Sequence, residues 1–250
     1  MFQNKHCRSK GENTMKVTLK DGSVKEYSEP MSVNDIAFDI AGGLGRAACA
    51  GEVDLRTTID KDCTLNILTF KDEAGKAAYR HTASHVMAEA VKNLFPEAKL
   101  AIGPSIDTGF YYDFEHEPFS REDLDKIEAE MKKIIKKGAR LERFTLPRED
   151  AIKYMEDRNE PYKVELIKDL PEDSTISFYS QGEFVDLCAG PHLMNTKSIK
   201  AFKIISSSMA YWRGDSSKAR LQRIYATAFD SKDELNMVDD RVELSGNEKE

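Results

Sequence analysis

Residues 15–27 read MKVTLKDGSVKEY, and this stretch decides how the chain begins to fold. Val17 and Leu19 alternate with Lys16, Thr18 and Lys20, Asp21-Gly22 supplies a turn, and Val24 to Tyr27 alternates again. Period-two alternation puts the apolar side chains on one face of a strand, and Asp-Gly accepts the positive φ of a tight hairpin turn. The stretch predicts a β-hairpin. Working outward, Ser32 precedes Val33–Ile40, which suits a short serine-capped helix stopped at Gly42-Gly43. β-prone segments follow around 47–53 and 64–70, with a turn at Asp60–Asp62 before the second. Hairpin, helix and further strands together form a ubiquitin-like β-grasp pattern, assigned to residues 15–74. Gly43-Leu44-Gly45 follows a helix, with no βαβ unit around it, so it reads as a helix end and loop rather than a dinucleotide fingerprint. Residues 1–14, MFQNKHCRSKGENT, are polar and aperiodic and read as a disordered leader.

A second unit is expected over residues 75–230. Ala77–Phe95 is helical by pattern, with Val86, Ala90, Val91 and Leu94 on one stripe and Pro96 as its stop. AIGPSIDTGFYYDF (101–114) is too apolar and too glycine-punctuated for a helix and reads as strand and turn. Ser120 and Asp123 form a capping signal for a helix that reaches Lys137 and closes at Gly138. Its Lys132, Lys133, Lys136 and Lys137 read as a solvated face. Leu141–Phe144, Lys163–Ile167, Ser177–Tyr179 and Phe184–Leu187 read as strands, and Phe202–Ser206 and Leu221–Ala228 as a last antiparallel pair around AYWRGDSSKA. The fold class is α+β, a small β-grasp unit followed by a larger α+β unit with an antiparallel sheet. Residues 231–250, with seven acids and three bases, read as an unstructured acidic tail.

Composition narrows the function. The 250 residues are 40% hydrophobic and 32% charged, with a net charge of -7. No apolar run approaches the roughly 18–20 residues of a membrane span, so no membrane role is expected. The acidic total gives no global positive field, which weakens a nucleic-acid reading while leaving room for a local basic stripe; no DNA partner is expected. The four cysteines lie far apart without a CxxC pair, a pattern that fits a reducing, cytoplasmic setting.

Three of the five histidines and one cysteine carry the chemistry. His81 and His85 are four apart on the expected helix 77–95 and so project from one face. Cys188 and His192 are four apart in DLCAGPH, where Gly190-Pro191 makes a turn. HTASH lacks the glutamate of a metalloprotease HExxH. Together the two pairs offer four nitrogen or sulfur groups, enough for a tetrahedral metal site or a hydrolytic pocket. Asp186 can orient an imidazole, and Lys163 can face a developing oxyanion. Gly103-Pro104 and the Gly109–Asp113 run, with Tyr112, offer backbone access and hydroxyl donors.

HTASH (81–85), AIGPSIDTGFYYDF (101–114), PYKVEL (161–166), FVDLCAGPH (184–192) and AYWRGDSSKARLQRIYATAF (210–229) resemble, in this order and spacing, the N-terminal half of bacterial threonyl-tRNA synthetases. The likeness runs from about residue 15 to 230, a TGS domain followed by an editing domain. It implies hydrolysis of the ester in tRNA(Thr) mischarged with serine. A pocket built for threonine cannot strongly reject an amino acid one methyl smaller, a difference of about 1–3 kcal/mol; a second, smaller sieve can.

The resemblance further implies that His81, His85, Cys188 and His192 surround the scissile ester. Lys163 and His81 would activate water or stabilise charge, Asp186 and Tyr112 would hold the seryl group or the terminal ribose, and the Gly103 backbone would lie close to the substrate. The general base stays open between these groups and the ribose hydroxyl. Related alanyl-type editing modules use a similar quartet as zinc ligands, whereas the threonyl type resembles a metal-free version. No cofactor is therefore expected, with zinc on His81, His85, Cys188 and His192 as the alternative. Candidate RNA contacts are Lys197, Lys200, Lys203, Arg213, Lys218, Arg220 and Arg223. A monomer is expected. Past about Leu235 the likeness fades, and the ATP-binding motifs of an aminoacylation domain find no match, so ligase activity is not expected of this chain by itself. It reads as a truncated ligase or a free-standing editing protein. The competing readings are a TGS module that binds RNA or a partner, and a synthetase fragment without function.

Overall fold

A computed structural model describes residues 14–51 and 53–237; the expected leader and the end of the acidic tail lie outside the described residues. The hairpin forms: β1 (Met15–Leu19) pairs antiparallel with β2 (Val24–Tyr27), Met15 opposite Tyr27 and Thr18 opposite Val24. Gly22 takes φ +83 in its turn, a conformation that a side chain would strain. After β3 (Met31–Ser32) comes α1 (Val33–Ile40), whose first turn is capped by the Ser32 hydroxyl accepting from the Asp35 amide.

The next segment corrects the sequence reading. Gly42–Ala47, expected as helix end, loop and strand start, is a second short helix, α2. Ala41 breaks the two helices with an extended backbone, and Gly45 lets α2 fold back onto the Phe38 ring, which a Cβ there would meet at 2.4 Å. Tertiary contact overrides the weak helix propensity of glycine. The unit closes with β4 (Ala48–Gly51), β5 (Thr58–Ile59), β6 (Cys63–Leu65) and β7 (Ile67–Thr69). β6 joins β1 in parallel, β5 pairs with β3 and β7 with β4. Val17, Val33, Ile36 and Leu55 are fully buried between sheet and helix, each contributing roughly 1.5–3 kcal/mol.

The second unit is built on α3 (Glu73–Leu94), which starts four residues before the expected Ala77. Ala83, Val86, Met87, Ala90 and Val91 of this helix are inaccessible to solvent. β9 (Ser105–Ile106) and β10 (Gly109–Glu115) form from the stretch read as strand and turn, and β8 (Lys99–Leu100) precedes it. α4 (Arg121–Lys137) carries the Ser120/Asp123 capping box and ends at left-handed Gly138. Then follow β11 (Leu141–Thr145), α5 (Arg148–Glu156), α6 (Pro161–Asp169), β12 (Ser177–Gln181), β13 (Phe184–Leu187), β14 (Ala201–Tyr211) and β15 (Arg220–Phe229). One antiparallel sheet runs β14-β15-β10-β8, with β9 beside β10, and a smaller one runs β11-β12-β13. α3 and α4 pack against the larger sheet.

Three further readings change. Lys163–Ile167, expected as a strand, lies in α6, because Pro161 supplies the first helical turn and Val164 and Ile167, three apart, are both buried. α5 was not anticipated. Residues 232–237, within the expected unstructured tail, are helical, with the Ser231 hydroxyl accepting from the Glu234 amide. Among the described residues no helix is long and apolar enough to cross a membrane.

Candidate active site

The middle of α3 meets the loop after β13. One helical turn separates His81 from His85, and their ring centroids lie 5.1 Å apart. From the loop, Cys188 brings its Sγ to 3.4 Å from His81 Nε2 and 3.2 Å from His192 Nε2. His192 sits 4.3 Å, centroid to centroid, from both α3 imidazoles. The four donor atoms all lie within 4.8 Å of one another. The two pairs of the sequence share one spot.

Hydrogen bonds fix the loop. Thr82 Oγ1 donates to the Ala78 carbonyl at 3.0 Å and accepts from the Leu193 amide at 3.0 Å. It also lies 3.0 Å from His192 Nδ1. With the hydroxyl proton on Ala78, His192 donates from Nδ1 and turns an Nε2 lone pair toward the Cys188 thiol. The Gly190 amide donates to Cys188 Sγ at 3.1 Å. Gly190 has φ +78 and abuts the Tyr179 hydroxyl, which a Cβ would meet at 2.2 Å; another residue would be both strained and blocked.

Beside the quartet is a buried charge cluster. Asp186 of β13 meets Lys163 Nζ at 2.6 Å through Oδ1, and its Oδ2 accepts from the Tyr112 hydroxyl at 2.6 Å. Lys163 Nζ also donates to the Tyr112 oxygen at 3.0 Å, and His85 Nε2 is 3.7 Å from Asp186 Oδ2. Asp186 Oδ1 has this ion pair but no hydrogen bond of ordinary angle among the described residues. The α6 helix, not a strand, is what points Lys163 inward.

Electrostatics follow from burial. Burial pushes His81 down to about 4 and His85 to about 3, against the opposing pull of Asp186, and drives His192 well below its usual value. All three imidazoles are neutral at pH 7. Burial pushes the Cys188 thiol up to about 12, so it is protonated. Burial also raises Asp186, but the Lys163 cation and the His85 contact outweigh it and hold the carboxyl below its ordinary value. The charged pair therefore stands in a neutral donor set.

His81, His85, Lys163, Asp186 and Cys188 line a cavity of about 440 Å³ with Gly103 and Pro104, within the usual range for small-ligand sites. Ser84 Oγ hydrogen bonds to the Gly103 carbonyl at 2.8 Å, tying that wall to α3. His192 and Tyr112 are fully buried and lie behind the lining. The Tyr112 ring blocks any side chain at Gly103, where a Cβ would meet it at 2.1 Å. A larger hollow, about 960 Å³, is edged by Glu97, Glu115 and Glu117 and holds no member of the quartet.

The quartet could hold a metal. Tetrahedral zinc would set its ligands roughly 3.4–3.6 Å apart, close to the Cys188 contacts; the thiol would first have to lose its proton.

The candidate RNA contacts are scattered. Arg213 pairs with Asp169 and Glu165 beside α6. Arg223 forks onto Asp113 at 2.7 and 2.8 Å. Lys203 is half-buried on β14 opposite Thr227, and Lys197, Lys200, Lys218 and Arg220 are exposed. Sequence reasoning missed Thr82, although it stands inside HTASH, and gave no hint of Arg56 and Tyr179, which touch the loop from outside any motif, or of Asp54, which bonds to both.

Comparison with known proteins agrees with the motifs. Residues 15–69 match the TGS domain family, and residues 176–225 match the threonyl and alanyl tRNA synthetase second additional domain. The threonine--tRNA ligase of Acetivibrio thermocellus is 61% identical over 235 residues, covering 92% of this chain and 37% of that protein. Those of Clostridium botulinum strain Hall and Clostridium acetobutylicum are 57% and 56% identical over 236 residues, each covering 90% of this chain and 37% of the relative. The chain thus spans 37% of the length of the curated relatives it matches.

Proposed function

We propose, from the premise that this chain is homologous to the N-terminal region of threonine--tRNA ligases, that it hydrolyses the ester of tRNA(Thr) mischarged with serine. The observation that carries the reading is the convergence of His81 and His85 with Cys188 and His192 beside the Lys163–Asp186 pair, at one small cavity. Neutral imidazole can take a proton, and a buried ammonium can meet an oxyanion; ester hydrolysis needs both.

In this reading the seryl ester enters along Gly103 and Pro104 with its carbonyl toward Lys163. His81, which faces the cavity, accepts the proton of the attacking water. The ammonium stabilises charge that develops on the carbonyl oxygen, and the bond to the ribose oxygen breaks as that oxygen takes the proton back from His81, releasing serine and regenerating the neutral imidazole. Asp186 faces the substrate's ammonium. Tyr112, buried behind Asp186, acts by holding that carboxylate rather than by touching substrate. Cys188 completes the wall as a neutral group, with His192 holding it from behind. Gly103 brings backbone close on one side, so an added methyl on the substrate meets a wall rather than a flexible side chain.

No step is routed through a metal. Should zinc bind, His81, His85, Cys188 and His192 would hold it, and it would supply a Lewis acid at the ester. The test is release of serine from Ser-tRNA(Thr) against threonine from Thr-tRNA(Thr), for wild type and His81→Ala. Serine-selective release that falls at least about a hundredfold in the variant is expected. No release, or equal release from both substrates, overturns the reading.

A further inference from the structure

Arg56 lies between β4 and β5 of the N-terminal unit, yet its guanidinium bonds to the other unit. Nε donates to the Leu141 carbonyl at 2.8 Å, Nη1 to the His192 carbonyl at 3.2 Å and Nη2 to the Leu193 carbonyl at 2.7 Å. Asp54 aims it: Oδ1 accepts from the Arg56 amide at 2.8 Å and from Nη1 at 3.2 Å. The other Asp54 oxygen accepts from the Tyr179 hydroxyl at 2.6 Å. The Tyr179 ring in turn packs on His192, centroids 4.4 Å apart, and stands 5.5 Å from the guanidinium carbon.

Both charged side chains are largely covered, 14% exposed for Asp54 and 15% for Arg56. An ion pair that served only solubility would not be turned inward. Neither residue lines the 440 Å³ cavity. What they hold is the loop that supplies half of the quartet. Thr82 grips that loop from the α3 side through His192 Nδ1 and the Leu193 amide; Arg56 grips its opposite edge through two successive carbonyls. A planar fork with fixed donors suits two adjacent acceptors, which a lysine ammonium cannot reproduce. Tyr179 closes the circuit against Gly190.

We propose that Asp54 and Arg56 are positioning residues of the hydrolytic site, by which the N-terminal unit keeps the Cys188–His192 loop in register with His81 and His85. The N-terminal unit then completes the site rather than serving only as an attached binding module. The inference rests on the deacylase reading for its kinetic consequence, but not for its structural one.

The experiment compares wild type, Arg56→Ala, Arg56→Lys and Tyr179→Phe in the full chain. With Ser-tRNA(Thr), Arg56→Ala should lose roughly ten- to a hundredfold in kcat, the scale of a small misplacement of reacting groups, with KM unchanged. Guanidinium below the unfolding transition should restore part of that loss, and Arg56→Lys should recover little. Tyr179→Phe removes only the hydroxyl link and should lose less. Amide hydrogen exchange over residues 188–194 should quicken in Arg56→Ala, while α4 keeps its protection. Wild-type kcat in Arg56→Ala, or unchanged exchange in the loop, overturns the proposal. If Arg56→Ala fails to fold, unchanged kcat and unchanged loop exchange in Tyr179→Phe overturn it. If wild type itself releases no serine, the deacylase reading fails and the exchange result alone decides the loop's dependence on Arg56.

Discussion

Replacing Asp186 by asparagine tests the buried charge pair on which the site is organised. The Lys163 and Asp186 side chains are 4% and 2% exposed, so Asp186→Asn leaves an ammonium in a nearly dry interior. Breaking such a pair from one side costs about 3–5 kcal/mol, a large share of the roughly 5–15 kcal/mol that holds an ordinary domain together. For a urea m-value of about 2 kcal/mol/M, the midpoint should fall by about 1.5–2.5 M. Urea unfolding of the second unit, followed by the signal of Trp212, reads this directly. Lys163→Met/Asp186→Asn should recover most of the loss, since no charge is then left unpaired. In Lys163→Met alone the buried carboxyl escapes by taking a proton. Wild-type Asp186, held low in the folded state, stabilises above its unfolded pKa and loses that contribution as pH falls through the folded value. Without the cation, burial raises the carboxyl instead, so this contribution to the Lys163→Met deficit sets in as pH rises past the unfolded pKa and levels off above the folded one. A loss under about 1 kcal/mol in Asp186→Asn, or no recovery in the double variant, would refute this account.

Two other predictions are simpler. Gly103→Ala places a methyl against the Tyr112 ring and should cost about 1–3 kcal/mol by overpacking, read by thermal melting, while reducing serine release through a narrowed wall. Protein purified without added metal should carry no stoichiometric zinc by mass spectrometry and keep its activity in chelator; one equivalent of zinc, with activity lost to chelator, would refute the metal-free route.

The hairpin at 15–27 was legible because one period-two pattern and one Asp-Gly turn had no rival reading. The cap at Ser120 and the stop at Gly138 were equally plain, since each answers a local need of helix ends. PYKVELIKD was not: its apolar residues fit both a two-residue and a 3.6-residue period, and the choice fell to Pro161 and to packing against neighbours. That mistake concerned a site residue, because only as a helix does the segment turn Lys163 onto Asp186. The quartet could be read from two spacings of four plus the recognised motifs. Tyr112 could be named but not oriented, since neighbours on a strand face opposite ways and the pattern does not say which side holds the cavity. Asp54 and Arg56 were invisible for a different reason. The loop carbonyls that Arg56 bonds lie up to 137 residues along the chain and the Tyr179 partner of Asp54 lies 125 away, and an isolated aspartate and arginine near a turn have no local signature.

The neutral imidazoles and protonated thiol around one internally compensated ion pair also bear on how the proposed hydrolysis would finish. In the proposed reaction the ester is neutral at the carbonyl that Lys163 faces, whereas the freed amino acid would carry a carboxylate there, close to Asp186, with which Lys163 is already paired. The product would then compete with Asp186 for one ammonium, a cost the ester does not meet, which would favour its departure.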